Sequence, residues 1–561
     1  MARETHLPLP GLAALVLLAL PWAASGSTPL PTLTSPLGPV VNLGFAAFAG
    51  NDTSPSGQPR SSVTFFGNIP YAQPPVGNLR FRAPRPLDET IRDPSRVPIS
   101  DARDWGAPCI QQPAQVGIGS EDCLKLNIWK PSSASESSKL PVIVYFHGGG
   151  FFAGSPLGFP FFDWLSQNQG IVAVSVAYRL NLLGFLGGAA VAADGDLNAG
   201  LRDQRAALEW VQRNIHRFGG NPDEVTIAGE SAGAASVVMQ TVAFGGSKPP
   251  VFKRAIVQSI GFGPTPTSEE VEDTFKNVST VVGCTGRDVM QCLRSASIGA
   301  IVSAINRASV PPVVEGPGGF LPDLPSHLIA SGRFTNVGLI GGHCTNDGRT
   351  FVGGTPAQFN SEEDIRRLLF ARYSGVTAAT MQRAFELYPA PDAMAQDIVL
   401  GCMDLKLAQA LTSRGVDNVF MFRWNSPHAV LFEETPFEGV MHTSDLYFLF
   451  DGTVRLPNAL NSFRAFNESE ARLSQEAIGF WTSFVSSGSP SMENTPERVT
   501  WAPFMSDTAS SATNTIHNRL VLQRGSDEGA QTSSRIESIP SVEFERCNFW
   551  MSANVTAETR V

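Results

Sequence analysis

The chain has 561 residues, of which 42% are hydrophobic and 16% are charged. This composition supplies enough apolar side chains for a large core and excludes extended disorder. The 41 lysines and arginines against 51 aspartates and glutamates give a formal net charge of −10. No basic run occurs, which argues against nucleic acid or an anionic membrane as the main partner.

The N-terminus has the pattern of a secretory signal peptide. Arg3 precedes an apolar stretch from Gly11 to Leu20, and the small residues Ala23 to Gly26 follow it. The apolar stretch is about ten residues long, whereas a membrane-spanning helix needs about 20. We therefore predict that residues 1–26 are a signal peptide and that the mature chain is secreted and extracellular, with no stable membrane insertion.

Four Asn-x-Ser/Thr sequons agree with this compartment. They begin at Asn51, Asn277, Asn467 and Asn554. A single sequon is a weak signal, but together with a signal peptide the four predict N-glycosylation at these asparagines.

From Pro141 onward, apolar runs of strand length alternate with amphipathic helical segments. Buried strands are predicted at Val142–Phe146, Ile171–Val176 and Val225–Ala228. Between Ala199 and Phe218 apolar residues recur at helical spacing, which predicts a helix. This alternation is typical of a mainly parallel sheet covered by helices.

Ser231 lies between the strand predicted at Val225–Ala228 and an alanine-rich helical run, Ala234–Val242. Its neighbours Gly229 and Gly233 have no side-chain bulk, as a sharp strand-to-helix turn requires. The start of the helix would direct free N–H groups towards the serine. An ordinary Gly/Ser loop can show the same five-residue pattern, but the flanking strand and helix favour a catalytic nucleophile.

Three consecutive glycines, Gly148 to Gly150, follow His147 at the end of the strand Val142–Phe146. Glycine backbone can approach a ligand atom closely, so this loop is a candidate oxyanion hole together with the amide of Ala232. A glycine run alone would indicate only a flexible loop. Its pairing with the serine turn favours the catalytic interpretation.

His442 is the strongest candidate for the general base. It follows the strand predicted at Val419–Trp424, and folds with this serine turn use the chain order serine, acid, histidine. His147 belongs to the glycine loop. No comparable setting surrounds the remaining histidines, which are His6 in the signal peptide, His216, His327, His343, His428 and His517.

The acid is expected between Ser231 and His442, after another strand. Val337–Gly341 is apolar and strand-like, and the turn that follows contains Asp347. An Asp-Gly pair is often only a turn. Its place in the chain order favours Asp347 as the acid.

Further segments accompany these motifs, in the order Phe66–Gly77, Ser120–Ile128, Tyr178–Leu180, Asp203–Trp210, Phe218–Pro222 and Gly439–His442. Together they resemble the type-B carboxylesterase/lipase family, which includes cholinesterases, fungal lipases and the non-catalytic neuroligins. The resemblance implies an α/β-hydrolase fold with a large, mostly parallel central sheet flanked by helices. It also implies a triad of Ser231, Asp347 and His442, and an oxyanion hole formed by Gly149, Gly150 and Ala232.

One position departs from this family pattern. Most relatives carry Glu where this chain has Asp347. Aspartate is one methylene shorter, yet it orients and stabilises the histidine in many triads. Glu362 or Glu363 are the alternatives for this role.

The seven cysteines are an odd number. Sequence alone leaves their connectivity open, but the family resemblance implies the disulfides Cys109–Cys123, Cys284–Cys292 and Cys402–Cys547. Cys344 is left over, three residues before Asp347. We expect it to be a buried free thiol behind the acid loop.

The catalytic residues are distributed over some 300 positions of the chain. A length of 561 residues would allow three or four domains at roughly 150 residues each, but such a division would separate the triad. We therefore expect residues 27–561 to form a single α/β-hydrolase domain.

Aromatic residues are concentrated after the glycine loop, at Phe151, Phe152, Phe159, Phe161, Phe162 and Trp164. Such clusters more often belong to a core than to a pocket, but if these line the pocket they predict apolar acyl chains. In cholinesterases a tryptophan inside the first disulfide loop binds the choline cation. Residues 109–123 contain none, and Trp105 lies just outside, so a choline esterase is disfavoured.

The motifs predict a secreted serine carboxylic ester hydrolase that acts on apolar acyl or aryl esters through an acyl-enzyme intermediate. Its partner is then a small-molecule or lipid ester. We expect no cofactor and no metal, because His and Cys show no zinc-ligand spacing. A triacylglycerol lipase or an acyltransferase would use the same triad. A non-catalytic adhesion or binding module is a more distant alternative, since adhesion relatives lack the serine.

Overall fold

The computed structural model describes residues 30–52, 62–352, 371–388, 396–450, 465–491, 499–506, 516–527 and 531–561, together with Arg367 and Met394. The predicted signal peptide lies outside the described residues, and so do Glu362 and Glu363.

The described strands form one large sheet and one small one. In chain order they are β1 Val40–Asn42, β2 Ala47–Ala49, β3 Val63–Pro70, β4 Ile99–Asp101, β5 Lys125–Pro131, β6 Leu140–Phe146, β7 Val172–Val176, β8 Gly220–Glu230, β9 Arg254–Gln258, β10 Gly338–Cys344, β11 Val419–Trp424, β12 Met505–Ser506, β13 Ile516–Leu522 and β14 Arg535–Ser538. β1, β2 and β4 make the small sheet, and the other strands make an eleven-stranded sheet.

The large sheet is parallel through its centre and antiparallel at its edges. Its order is β12-β13-β11-β10-β9-β8-β6-β7-β5-β3, with β14 also paired to β13. The run from β13 to β7 is parallel throughout, whereas β3, β5, β12 and β14 pair antiparallel. The predicted, mostly parallel sheet is therefore confirmed.

Helices follow and cover these strands. They are α1 Phe162–Gln167, α2 Asn181–Phe185, α3 Ala189–Asp194, α4 Ala199–Asn214, α5 Ala232–Thr241, α6 Ser268–Val282, α7 Val289–Ser295, α8 Ile298–Ile305, α9 Pro325–Ala330, α10 Asp347–Val352, α11 Ala378–Leu387, α12 Cys402–Ser413, α13 Ala429–Glu434, α14 Ser444–Leu449, α15 Glu468–Ser487, α16 Ser541–Trp550 and α17 Ala553–Thr559. Short 3₁₀ turns and one π-helical turn, Asp397–Gly401, lie between them.

The core occupies both faces of the sheet, because successive side chains of a strand point to opposite sides. In β6, Val142, Val144 and Phe146 enter one hydrophobic cluster, which also contains side chains of α4 and α5. Ile143 and Tyr145 enter a second cluster with side chains of α15. Burial on two faces explains why the central strands are continuous apolar runs.

The cysteines pair as the family resemblance implies. The structure contains the disulfides Cys109–Cys123, Cys284–Cys292 and Cys402–Cys547. Cys344 is free and buried, as expected. Cys402 begins α12 and Cys547 lies in α16, so the third disulfide attaches the C-terminal helices to the body of the protein.

The three disulfides close loops of very different length, which predicts a difference in stability. Cys402 and Cys547 are 145 residues apart, and Cys284 and Cys292 are 8 apart. Loop-closure entropy assigns about 5 kcal/mol to the first and about 2.5 kcal/mol to the second. We expect the C402S/C547S variant to lose more free energy of unfolding in urea than C284S/C292S. Equal losses would show that loop length does not set their contributions.

Candidate active site

Ser231 stands at the sharp turn between β8 and α5. Its backbone has φ 57° and ψ −124°, a conformation that non-glycine residues rarely adopt and that surrounding structure must enforce. The turn packs closely on the end of β6: a Cβ on Gly233 would lie 2.1 Å from the carbonyl oxygen of Phe146. Glycine is therefore required at position 233, as the sequence pattern indicates.

The glycine loop passes directly beside Ser231. A Cβ on Gly148 would lie 3.1 Å from the Cβ of Ser231. Among the described residues, the N–H groups of Gly149, Gly150 and Ala232 donate no hydrogen bond to another protein group. Ala232 is also the first residue of α5, where the helix dipole favours negative charge. These free donors next to the serine suit an oxyanion.

Asp347 and His442 are joined by a hydrogen bond. His442 Nδ1 lies 2.9 Å from Asp347 Oδ1, and the other carboxylate oxygen accepts the backbone N–H of Cys344 at 2.8 Å. Asp347 is completely buried and begins α10, immediately after β10. The shorter acid therefore reaches the histidine, and its second oxygen is fixed by the strand from which it emerges.

The acid loop, which leads to Asp347, and the histidine loop, which leads to His442, are also joined by hydrogen bonds. Asn346 donates its N–H to the carbonyl of Val440 at 2.9 Å and accepts the N–H of Val440 on Oδ1 at 3.0 Å. The His442 N–H donates to Thr350 Oγ1 at 3.2 Å. The ring of Phe351 contacts the imidazole edge-on, with 4.8 Å between ring centroids. Side chains around α10 therefore hold the histidine on several sides.

Glu230, the residue before Ser231, is a site residue that the sequence motifs did not predict. Its carboxylate is buried, and Oε1 lies 3.1 Å from His442 Nε2, although the two atoms are not aligned as a hydrogen bond. Burial raises the pKa of Glu230 to about 8. The motif gave no signal for it, because a residue between a glycine and a serine can face either way.

Burial of the imidazole opposes its charge, but the carboxylates around it outweigh that effect. Burial alone would lower the pKa of His442, whereas Glu230, Asp347 and Asp445 raise it to about 9. Among the described residues no hydrogen bond joins Ser231 Oγ to His442 Nε2. Because its pKa is raised, the imidazole favours its protonated form. It would have to be neutral to accept a proton from Ser231.

Two further residues of the site, Asp445 and Gly261, were also not predicted, and Asp445 lies beside the expected free thiol of Cys344. Asp445 is fully buried, accepts a 2.5 Å hydrogen bond from Gln258 Nε2, and has its pKa raised to about 6, chiefly by burial. Cys344 Sγ lies 3.7 Å from Asp445 Oδ1. A Cβ on Gly261 would lie 3.1 Å from Ser231 Oγ, so this glycine leaves space at the nucleophile.

Three of the other described histidines are held elsewhere. Burial lowers the pKa of His147 to about 4, and its ring stacks on Tyr178. His343 Nδ1 pairs with the buried Asp404 at 2.8 Å. His428 caps the start of α13, accepting from the N–H groups of Val430 and Leu431. His442 is thus the histidine that meets Asp347.

Most of the aromatic stretch after the glycine loop belongs to the core. Phe159, Phe161, Phe162 and Trp164 are buried in the cluster on the α15 face of the sheet. The exception is Phe152, which is 47% exposed. Trp105 packs against the core rings of Phe65 and Trp129, at centroid distances of 4.9 and 5.4 Å. The stretch therefore gives little evidence about the acyl pocket.

Within the residues that the structure describes, no group of three or more His, Cys, Asp or Glu side chains could hold a metal ion. Over the same residues, no helix has the length and apolar character needed to cross a bilayer.

Comparison with known proteins identifies the family. The pattern of the Carboxylesterase family matches residues 38–532. The chain belongs to this family. It is 31% identical over 486 residues to Lipase 1 of Geotrichum candidum, covering 74% of this chain and 84% of the lipase. It is 28% identical over 493 residues to a secreted lipase of Arthroderma benhamiae, covering 79% and 83%.

The fold agrees with this assignment. The crystal structure of Aspergillus niger EstA superposes with a TM-score of 0.80 at 28% identity, covering 93% of this chain and 99% of EstA. The protein therefore has the α/β-hydrolase fold, and it is a carboxylic ester hydrolase. The predicted family, fold class and enzyme class are confirmed.

The buried contact between Asp347 and His442 predicts the effect of removing the carboxylate. We expect Asp347→Asn to reduce kcat about 10⁴-fold, because the amide favours the wrong imidazole tautomer. The double variant E362Q/E363Q should keep wild-type kcat in the same ester hydrolysis assay. The opposite pattern would assign the acid to Glu362 or Glu363.

The charge of Glu230 predicts the pH dependence. Since this charge raises the pKa of His442, Glu230→Gln should move the acid limb of the kcat/KM profile to lower pH, by about 1–3 pH units. Glu230→Asp retains a carboxylate and should leave the limb closer to that of the wild type. Coincident limbs in E230Q and wild type would show that Glu230 does not set the protonation of the histidine.

Proposed function

We propose that this esterase hydrolyses apolar acyl or aryl esters through an acyl-enzyme intermediate on Ser231. The observation that carries the proposal is the 2.9 Å hydrogen bond between Asp347 and His442. It lies at the carboxyl ends of the parallel strands, as does the strained turn at Ser231. Each group follows one of four strands of this parallel run. The glycine loop follows β6, the nucleophile follows β8, the acid follows β10 and the base follows β11.

The reaction proceeds in two steps. His442 accepts the proton of Ser231 while Oγ attacks the ester carbonyl, and the amides of Gly149, Gly150 and Ala232 stabilise the oxyanion. The C–O bond to the alcohol breaks, and the imidazolium returns the proton to the leaving oxygen. Water, deprotonated by the same imidazole, then attacks the acyl-enzyme, and release of the acid restores Ser231.

Two phenylalanines and a glycine beside the site suit an apolar substrate. Phe351 lies against the imidazole, Phe152 is exposed beside Gly150, and Gly261 leaves space at Ser231 Oγ. Lipase 1 and the secreted lipase among the relatives agree with such esters. A triacylglycerol lipase is therefore the second candidate within the same chemistry, and acyl transfer to an alcohol would use the same residues.

We also propose secretion and glycosylation, with residues 27–561 forming one domain. A secreted lipase is among the relatives, and three disulfides are typical of oxidising compartments. Asn277 and Asn554 are exposed, which suits glycan attachment. Asn51 and Asn467 are half-buried, and the Asn467 side chain caps α15.

A fluorophosphonate probe tests the assignment of the nucleophile. The purified protein should react at one site, and Ser231→Ala should abolish both labelling and hydrolysis of p-nitrophenyl esters. Ser259→Ala is a suitable control, because Ser259 is a buried serine after the neighbouring strand β9. Absence of labelling in the wild type, or labelling of S231A, would refute the catalytic proposal and favour the binding module.

A further inference from the structure

The glycine loop is held on its far side by one side chain from the Cys109–Cys123 loop. Gln111 Oε1 accepts the N–H of Gly154 at 2.7 Å, and Gln111 Nε2 donates to the carbonyl of Gly154 at 3.0 Å. The same Nε2 donates to the carbonyl of Cys109 at 2.7 Å. One carboxamide thus satisfies both backbone groups of Gly154, and its own position is fixed beside a disulfide.

A second bond adjoins this pair. The backbone N–H of Gln112 donates to the carbonyl of Phe152 at 2.8 Å. Residues 111–112 therefore lie along residues 152–154 like a short strand, with the Gln111 side chain taking the place of a backbone partner. Nearby, Asn181 links Ile110 to the same loop, through its Nδ2 to the Ile110 carbonyl and its N–H to the Phe151 carbonyl, both at 2.7 Å.

Gly154 is packed directly on the part of the loop that carries the oxyanion donors. A Cβ on Gly154 would lie 2.1 Å from the carbonyl oxygen of Gly148. The N–H groups of Phe152 and Ala153 both donate to the carbonyl of Gly149, at 3.1 and 2.9 Å. The Gly149 carbonyl and the Gly150 N–H belong to the same peptide plane. A displacement of residues 152–154 would therefore rotate this plane and change the direction of the Gly150 N–H.

We propose that Gln111 is a positioning residue for the oxyanion hole. It fixes Gly154, and through the packing of Gly154 on Gly148 it sets the direction of the Gly149 and Gly150 N–H groups. This proposal rests on the proposed function, because it assumes that those groups bind the oxyanion of an ester reaction. A carboxamide suits this role, since it carries a donor and an acceptor on two separate atoms that can pair with both groups of one backbone residue.

The expected loss falls on kcat. Removing one oxyanion donor costs about 10²–10³-fold in kcat, and misplacement of a catalytic group by about 1 Å can cost about 10²-fold. Gln111→Met keeps the length of the side chain and removes its polar groups. We therefore expect kcat to fall about 10–100-fold while KM stays within about twofold of the wild type.

Gln112→Met is the matched control. Its Nε2 donates to the carbonyl of Ala308 at 3.2 Å, away from the glycine loop, and its backbone bond to Phe152 is unaffected by the substitution. This variant should retain wild-type kcat. Rates are divided by the fraction of molecules that a fluorophosphonate labels at completion, so that unfolded protein does not count as slow enzyme.

A thionoester substrate separates positioning from general damage. Its sulfur accepts hydrogen bonds poorly, so an intact hole should favour the oxygen ester strongly. The ratio of ester to thionoester kcat/KM should fall in Q111M and stay at the wild-type value in Q112M. If Q111M is not obtained folded, Gln111→Glu, which keeps an acceptor for Gly154 but has no donor, should show the same fall.

Two results would overturn the proposal while the proposed function stands. One is wild-type kcat and ester-to-thionoester ratio in Q111M. The other is a rate loss fully explained by fewer labelled molecules, which would make Gln111 a folding residue only. Failure of the wild type to take the label would instead refute the proposed function, and this inference with it.

Discussion

The close approach of the serine turn to the end of β6 is the constraint on which the site depends. The main chain at Gly233 lies against the carbonyl of Phe146 with no room for a side chain between them. This contact brings the first turn of α5 and the glycine loop to the same place, so that donors from two separate segments meet beside Ser231. The strained backbone at Ser231 follows from it, because the chain must reverse within one residue.

Three buried carboxyl groups surround the one imidazole of the site. Glu230, Asp347 and Asp445 are all at most 2% exposed, and they share the imidazole of His442. Burial of a charge is costly unless it is paired or hydrogen-bonded. Asp347 has His442 and the Cys344 N–H, and Asp445 has Gln258 and the Leu446 N–H. Glu230 has an imperfectly aligned contact with the histidine, which lowers its pKa, but burial outweighs this and raises the pKa to about 8.

Local patterns were sufficient to predict the serine turn and the glycine loop, because both are defined by glycines at fixed spacing around a strand end. Asp347 needed chain order in addition, and the disulfide pairs needed the family resemblance. Glu230 was not predicted, since its orientation depends on how β8 packs against the histidine loop. The role of Gln111 could not be predicted either, because its contact with Gly154 joins positions 43 residues apart in the chain.

The aromatic stretch illustrates the same limit. Residues 159–164 have the composition of either a pocket lining or a core, and only the position of α1 on the α15 face of the sheet decides between them. Burial depends on the assembled layers, whereas a turn motif is encoded within a few residues. Motifs were therefore more informative about the chemistry than about the substrate.

The two-way bond between Asn346 and Val440 joins the acid loop and the histidine loop into one unit. The serine turn and the glycine loop form another, packed together through Gly233. Opening of the first unit would carry Asp347 and His442 away together and leave the nucleophile in place. Activity lost through opening of the first unit would therefore reflect fewer competent molecules, each with an unchanged turnover number.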